Sequence, residues 1–272
     1  MRRGLSPVVG RRITRIEKVR CRHKPITMRP SLAAIRRRIT GRTIQAVERA
    51  GKRIVLCLDG GDRLLIHPRM AGLVLLHDPP DAEHLRLRIH LSGREARKLL
   101  YWDRRGLGTI ELLDAKALAA LNASGTLGPD ALQTTTKSLR RRLAGSRRAI
   151  KVALLDQRAI AGIGNLYASE ILHVARIHPE CRCRQLTAAQ WRRLHAAIIE
   201  VLQQAIDLEG STLSDGTYRN ALNQAGRYQN HHRVYQRTGQ VCTTCGDARI
   251  VRNVQSQRST FFCPRCQKPP SG

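Results

Sequence analysis

"CTTCGDARIVRNVQSQRSTFFCPRC" (242–266) contains two Cys-x-x-Cys pairs, Cys242/Cys245 and Cys263/Cys266, with 17 residues between them. Four thiolates in two such knuckles suit a tetrahedral zinc ion on a β-hairpin. Four protein ligands leave no position for water, so the Zn2+ is expected to be structural. A segment this short buries little apolar surface, and the ion supplies folding free energy that a tiny core lacks. Iron or a redox dithiol is the competing use of the same spacing. Arg249, Arg252 and Arg258 lie between the knuckles, so the hairpin would present cations. For any one of them, the plain alternative is a solvated basic face.

Upstream, "AIAGIGNLYASEILHVARIHPE" (159–180) runs from Gly162, Gly164 and Asn165 into an amphipathic pattern. A glycine turn into a helix start exposes backbone N–H groups, which bind phosphate with help from the helix dipole. Alone, such a turn is weak evidence. It gains weight from Lys151 before it and the cysteine knuckles after it.

Composition agrees with a polyanionic partner. The 272 residues carry 49 Lys+Arg against 20 Asp+Glu, a formal charge of +29. A surface that basic attracts nucleic acid and releases its counterions on binding. An arginine-rich proteome would account for only part of the excess. Aromatic residues are 3%, too few for the stacking platforms that read single strands, so a duplex is expected. Hydrophobic residues at 42% argue against wholesale disorder, and the length allows two domains. No apolar run approaches the ~18 residues of a membrane span, and no signal-peptide core follows the first residues. The expectation is a cytoplasmic protein with no membrane partner. Cys21, Cys57, Cys181 and Cys183 are scattered; Cys181 and Cys183 read as packing thiols or a weak metal or redox pair.

Along the chain, 11–28 reads as strand, broken by Pro25 and Pro30, and 31–39 as a short helix. From Gly41 to Leu113 the pattern is mostly β. Gly60, Gly61 and Asp62 separate two apolar runs as in a hairpin. "HLRLRIHL" (84–91) alternates, with Leu85, Leu87, Ile89 and Leu91 on one face. His84, Arg86, Arg88 and His90 would then face solvent or phosphate. Several short strands with turns suggest a sandwich. The grammar then turns helical. Thr187 and Gln190 are spaced as a capping box, ahead of a core stripe of Trp191, Leu194, Ile198, Val201 and Ala205. Residues 210–240 are polar and loop-like.

The stretches "GIGNLYASE" and "QRSTFFCPRC" together resemble the formamidopyrimidine-DNA glycosylase and endonuclease VIII family of base-excision repair enzymes. "VGRRI" (9–13), "HPRMAG" (67–72), "DRRGLG" (103–108), "LGPDAL" (127–132) and "EGSTL" (209–213) resemble family segments in the same order. The resemblance implies an α+β chain: an N-terminal β-sandwich (1–118), a helix–two-turn–helix DNA-binding domain (119–225), a zinc finger (226–268) and a tail (269–272). It also implies a monomer that extrudes a damaged base from duplex DNA, cleaves its glycosidic bond and nicks the strand by β,δ-elimination.

Site roles follow from the resemblance. Met70 and Arg105 match the positions that fill the emptied stack and face the partner base. Leu107 falls where the purine-specific branch usually has Phe; an aliphatic wedge still intercalates but stacks less. Lys52 matches a strand lysine that donates a proton and contacts phosphate near the reacting sugar. Arg258 matches the finger arginine that assists the second elimination. Lys151 and Asn165 match backbone-phosphate contacts. Oxidised purines such as 8-oxoguanine and formamidopyrimidines are the implied substrates, although Leu107 and the loop 216–237 weaken that assignment. The loop would recognise the flipped base or merely connect helix to finger.

Family members begin with a Pro-Glu-Leu-Pro-Glu-Val-Glu-Thr type of segment, whose terminal Pro amine is the nucleophile. An α-amine, with a pKa near ~7.7–8.0, is less protonated at neutral pH than a lysine near ~10.4. This sequence opens Met1-Arg2-Arg3, about nine residues or ~30 Å of extended chain later. Met1 is therefore not expected to replace the Pro. Either the coding start lies upstream, the expected case because Lys52, Met70, Arg105 and Arg258 are in place, or the chain is a non-catalytic lesion-binding protein. A zinc-ribbon RNA-binding or ribosome-associated protein is the third reading. The ordered motif series and the scarcity of aromatics count against it.

Overall fold

A computed structural model describes residues 1–94, 96–214, 216 and 218–269 of the chain. Of the expected tail, 270–272 lie outside the described residues, as do Thr217 of the 216–237 loop, Asp215 and Glu95. The chain forms two compact units, Met1–Leu121 with Leu208–Gln229, and Asn122–Asp207 with Asn230–Gly272.

In the first unit, β1 (Ile13–Lys18) and β2 (Thr27–Arg29) replace the single strand read over 11–28. Between them Val19 still donates to the Arg86 carbonyl, then Cys21 and His23 turn toward Glu83. Helix α1 (Leu32–Ile39) follows, with Ser31 Oγ capping the Ala34 N–H and Ile35 and Ile39 buried. The remaining strands are β3 (Ile44–Ala50), β4 (Arg53–Leu58), β5 (Asp62–His67), β6 (Gly72–Leu75), β7 (Leu85–Leu91), β8 (Lys98–Asp103) and β9 (Thr109–Asp114). They form a five-stranded sheet, β2-β9-β5-β4-β3, and a four-stranded sheet, β1-β7-β8-β6. Gly60 and Gly61 join β4 to β5 as expected, Gly61 taking a φ of +84°. Ile13, Ile16, Leu56, Leu64, Leu87 and Ile89 share one core between the sheets, which makes the unit a sandwich.

Strand β7 departs from strict alternation. Its register against β8 shifts between Leu85 and Leu87, the mark of a bulge. Leu87, Ile89 and Leu91 enter the central core, while Leu85 joins Leu73, Leu75, Leu100 and Trp102 in a separate cluster. One slipped residue changes the face of every side chain beyond it. The opposite face is also not open. Arg86 is 3% exposed, with Nε donating 2.8 Å to the Asp103 carbonyl. His90 and Arg88 hydrogen-bond Glu17 and hold its carboxyl down at about 2.

Helix α2 (Ala115–Ala123) leads out of the sandwich. The second unit then carries α3 (Thr136–Leu143), α4 (Ile150–Leu154), α5 (Asn165–Val174) and α6 (Ala188–Asp207). The capping box before α6 forms: Thr187 Oγ1 accepts from the Gln190 N–H, and Gln190 Oε1 accepts from the Thr187 N–H. Trp191, Leu194, Ile198, Val201 and Ala205 are buried as one stripe. The unit ends in an antiparallel hairpin of β10 (Val251–Gln255) and β11 (Arg258–Phe262). Cys181 and Cys183 are buried packing thiols, and burial pushes Cys183 up to about 11.

Candidate nucleic-acid interface

The site residues fall into two sets, one in each unit. In the first, β5 ends at His67 and the chain turns through Pro68, Arg69 and Met70 before β6. Gly72 closes this turn, because a Cβ there would lie 2.6 Å from the Pro68 carbonyl oxygen. Met70 is left 70% exposed, the most exposed large apolar side chain among the described residues. Removing its thioether from water would be favourable, so Met70 offers apolar area for a partner to cover. Arg105 Nη1 donates to the Met70 sulfur at 3.6 Å.

Arg105 stands on the turn after β8, which Asp103 organises. The carboxylate is fully buried. Its Oδ1 accepts from the Arg105 and Gly106 N–H groups at 3.0 and 3.1 Å, and its Oδ2 from the Gly108 N–H at 2.7 Å. Gly106 is obligatory: its φ is +60°, and a Cβ would lie 2.1 Å from the Lys24 carbonyl oxygen. Leu107, half-buried, sits in the same turn as the exposed Arg105. Lys52 is exposed in the turn between β3 and β4. Burial, followed by the charges of Arg53, Arg69 and Lys52, lowers His67 to about 4. His67 is therefore a neutral imidazole at physiological pH, at the foot of the Met70 turn.

In the second unit, three sequence-selected residues converge on the hairpin. Lys151 has 0% exposure, and its Nζ donates to the Ser259 carbonyl at 3.0 Å and to Thr260 Oγ1 at 2.7 Å. Asn165, the first residue of α5, donates from Nδ2 to the same Ser259 carbonyl at 2.9 Å. Arg258, exposed at the start of β11, is close enough to act on Lys151. Burial first, then the Arg258 charge, lowers the lysine to about 8. The hairpin tip, Ser256–Gln257, has φ values of 47° and 59°, the doubly left-handed form of a tight two-residue turn. Side chains from two helices and the hairpin thus form one cationic, donor-rich cluster.

The four cysteines come together as the spacing predicts. Cys242 and Cys266 sulfurs are 3.9 Å apart, Cys245 and Cys263 3.8 Å, and all four lie within 4.8 Å of one another. A tetrahedron with zinc–sulfur bonds of about 2.3 Å has edges of about 3.8 Å, so the cage fits zinc.

Family comparisons agree along the whole length. The formamidopyrimidine-DNA glycosylase N-terminal domain matches residues 1–110, its H2TH domain 127–217, and the zinc finger found in FPG and IleRS 239–269. The formamidopyrimidine-DNA glycosylase of Chloroflexus aurantiacus is 42% identical over 266 residues, 97% of this chain and 94% of the relative. The chain belongs to the formamidopyrimidine-DNA glycosylase family. That of Streptococcus thermophilus is 38% identical over 275 residues, 98% of this chain and 96% of the relative. The solved complex of the Lactococcus lactis glycosylase with abasic-site DNA has a TM-score of 0.87 and 34% identity, covering 98% of this chain and 97% of that one.

Within this glycosylase fold, sequence reading missed the residues that hold the site. Asp103 was one; an Asp opening a turn with two glycines signals side-chain-to-backbone bonding. Glu170, fully buried in α5, accepts from the N–H groups of Arg233, Val234 and Tyr235 at 2.8–3.0 Å. It anchors the chain entering the finger. His173, one turn on, bonds Thr244 Oγ1 at 2.9 Å and Gln267 Oε1 at 3.1 Å. Gln267 Oε1 in turn accepts the Cys263 N–H at 3.0 Å. An acid and a histidine on an apolar helix face were the available signals.

Proposed function

We propose that the two residue sets serve one reaction: removal of a damaged base from duplex DNA and cleavage of the strand at the resulting abasic sugar. The chain is a base-excision repair DNA glycosylase with AP lyase activity, and one structural zinc ion held by Cys242, Cys245, Cys263 and Cys266 maintains its finger. Solved relatives hold DNA containing an abasic site or a formamidopyrimidine lesion; damaged duplex DNA is the partner here, met by a charge of +29. No helix among the described residues is long and apolar enough to cross a membrane. The cytoplasm, at the nucleoid, is the proposed place of action, with the protein as a monomer.

The observation that carries this reading is the exposed Met70 held against Arg105. An enzyme acting on a stacked base must turn it out and fill the gap. Met70 enters the vacated space, Arg105 supplies donors to the base left behind, and Leu107 wedges the other strand. Asn165 and Arg258 take the phosphates flanking the lesion through charge-assisted hydrogen bonds, and the buried Lys151 holds the Ser259–Thr260 strand behind them. Lys52 gives a proton near the opening sugar, and Arg258 assists the second elimination. Met70 and Arg105 favour oxidised purines.

The attacking amine of the family belongs to its Pro-Glu segment, which precedes the Arg-Arg-Gly-Leu run. The test is borohydride trapping on abasic and 8-oxoguanine duplexes, with this chain and with a form in which that segment is joined ahead of Arg2. Trapping by the extended form supports the enzymatic reading. Lesion binding with no trapping by either form would leave a lesion-binding protein instead.

A further inference from the structure

The loop that interrupts the expected first strand brings His23 to Glu83 and His84, just ahead of β7. We propose that His23, Glu83 and His84 form a binding site for a divalent transition-metal ion, distinct from the four-cysteine cage.

The geometry is specific. The imidazoles of His23 and His84 stack with centroids 4.5 Å apart and planes 8° from parallel, so the exposed His23 ring must turn before both can face one ion. One ligand atom from each of the three residues lies within 4.8 Å of the other two. His23 Nε2 is 2.6 Å from Glu83 Oε1, where an ion would replace the shared proton. Ligand atoms ~2.0–2.2 Å from a common ion stand roughly 3.0–3.5 Å apart, a closure that exposed side chains reach by rotation.

His84 is fixed by Asp81. Asp81 Oδ1 accepts from its Nδ1 at 2.9 Å, from its backbone N–H at 2.9 Å and from Trp102 Nε1 at 3.2 Å. A carboxylate on one imidazole nitrogen places the proton there and leaves the lone pair of the other outward, the usual support of a metal-bound histidine. The Trp102 ring packs edge-on to His84 at 5.5 Å. Two imidazoles and one carboxylate suit zinc, nickel, cobalt or copper rather than magnesium or calcium. Three ligands leave positions for water, so binding is open and reversible. The ion would clip together two loops whose ligands are 60 residues apart, and because it binds the folded arrangement it would stabilise the chain by mass action.

The untagged, zinc-loaded full chain is dialysed against Ni2+ alone, and both metals are counted. The expected result is one zinc and one nickel per chain, with a Tm that rises with Ni2+ concentration. His23→Ala and His84→Ala should lose the nickel and keep the zinc, and Glu83→Gln should weaken nickel binding by about tenfold or more. His23 is exposed, so His23→Ala decides the matter even if His84→Ala fails to fold. No nickel retained by the wild type, or nickel undiminished in His23→Ala, would overturn the proposal. DNA cleavage does not enter the readout, so failure here leaves the glycosylase reading untouched.

Discussion

Asn165 Nδ2 donates to the carbonyl oxygen of Ser259 at 2.9 Å, joining the head of α5 to strand β11 of the finger hairpin. Lys151 Nζ reaches the same oxygen at 3.0 Å. The two residues differ in charge, and their variants should separate. Lys151→Met removes a buried positive charge beside Arg258 and should weaken DNA binding with a smaller salt dependence of log K. Asn165→Ala should weaken binding with the salt slope unchanged. Fluorescence anisotropy over a salt series reads both.

The lowered pKa of Lys151 sets a pH dependence of opposite sign for binding and for folding. In the folded chain the ammonium loses its proton near about 8. DNA affinity should therefore fall as pH rises through 8, and Lys151→Met should flatten that limb. An unfolded lysine keeps its proton to ~10.4, so the unfolded state binds more protons between about 8 and 10 and stability should rise with pH there. Denaturant titrations and binding isotherms at matched pH check the two signs.

His67 titrates in the other direction of the scale. Burial and three neighbouring cations hold it neutral down to about 4, whereas an unfolded histidine protonates near ~6.5. The first unit should lose stability as pH falls from about 6.5 to 4. His67→Gln should reduce that acid loss, measured by urea midpoints across the range.

Met70 is a test of wedge against packing. At 70% exposure it contributes little to the core, so Met70→Ala should change stability by less than about 0.5 kcal/mol. A wedge that offsets part of an unstacking cost of a few kcal/mol should be worth about tenfold in excision rate. Single-turnover excision by the form carrying the Pro-Glu segment, beside a melting curve, distinguishes the two roles. Equal rates in wild type and variant would remove Met70 from the site.

Asp103 should be among the most costly positions. Asp103→Ala leaves three N–H groups of one turn without their acceptor, each buried donor costing about 1–3 kcal/mol. The expected result is a lower Tm of the first unit and lost lesion discrimination. Zinc removal acts on the other unit: a chelator should unfold residues 239–269 and abolish DNA binding while the sandwich keeps its β-sheet circular dichroism signal.

The sequence by itself determined what depends on local spacing and composition. The cysteine knuckles, the capping box at Thr187 and Gln190, the stripe of α6, the glycine hairpin at Gly60–Gly61 and the polyanion-directed charge are all short-range signals. Motif order then placed Met70, Arg105, Lys151 and Arg258 in a known family. Only the tertiary structure decided the rest, because it rests on partners distant in the chain. A one-residue bulge in β7 redistributed a regular alternation between two apolar clusters. Residues Leu208–Gln229, which look like a polar connector, belong to the first unit: Leu76 N–H donates to the Ala221 carbonyl at 2.8 Å, and Ala221 enters the sandwich core. Lys151, a phosphate contact by family resemblance, is buried, its ammonium donating to Ser259 and Thr260, 108 and 109 residues later. Local sequence encodes which groups need partners, and the fold alone supplies them.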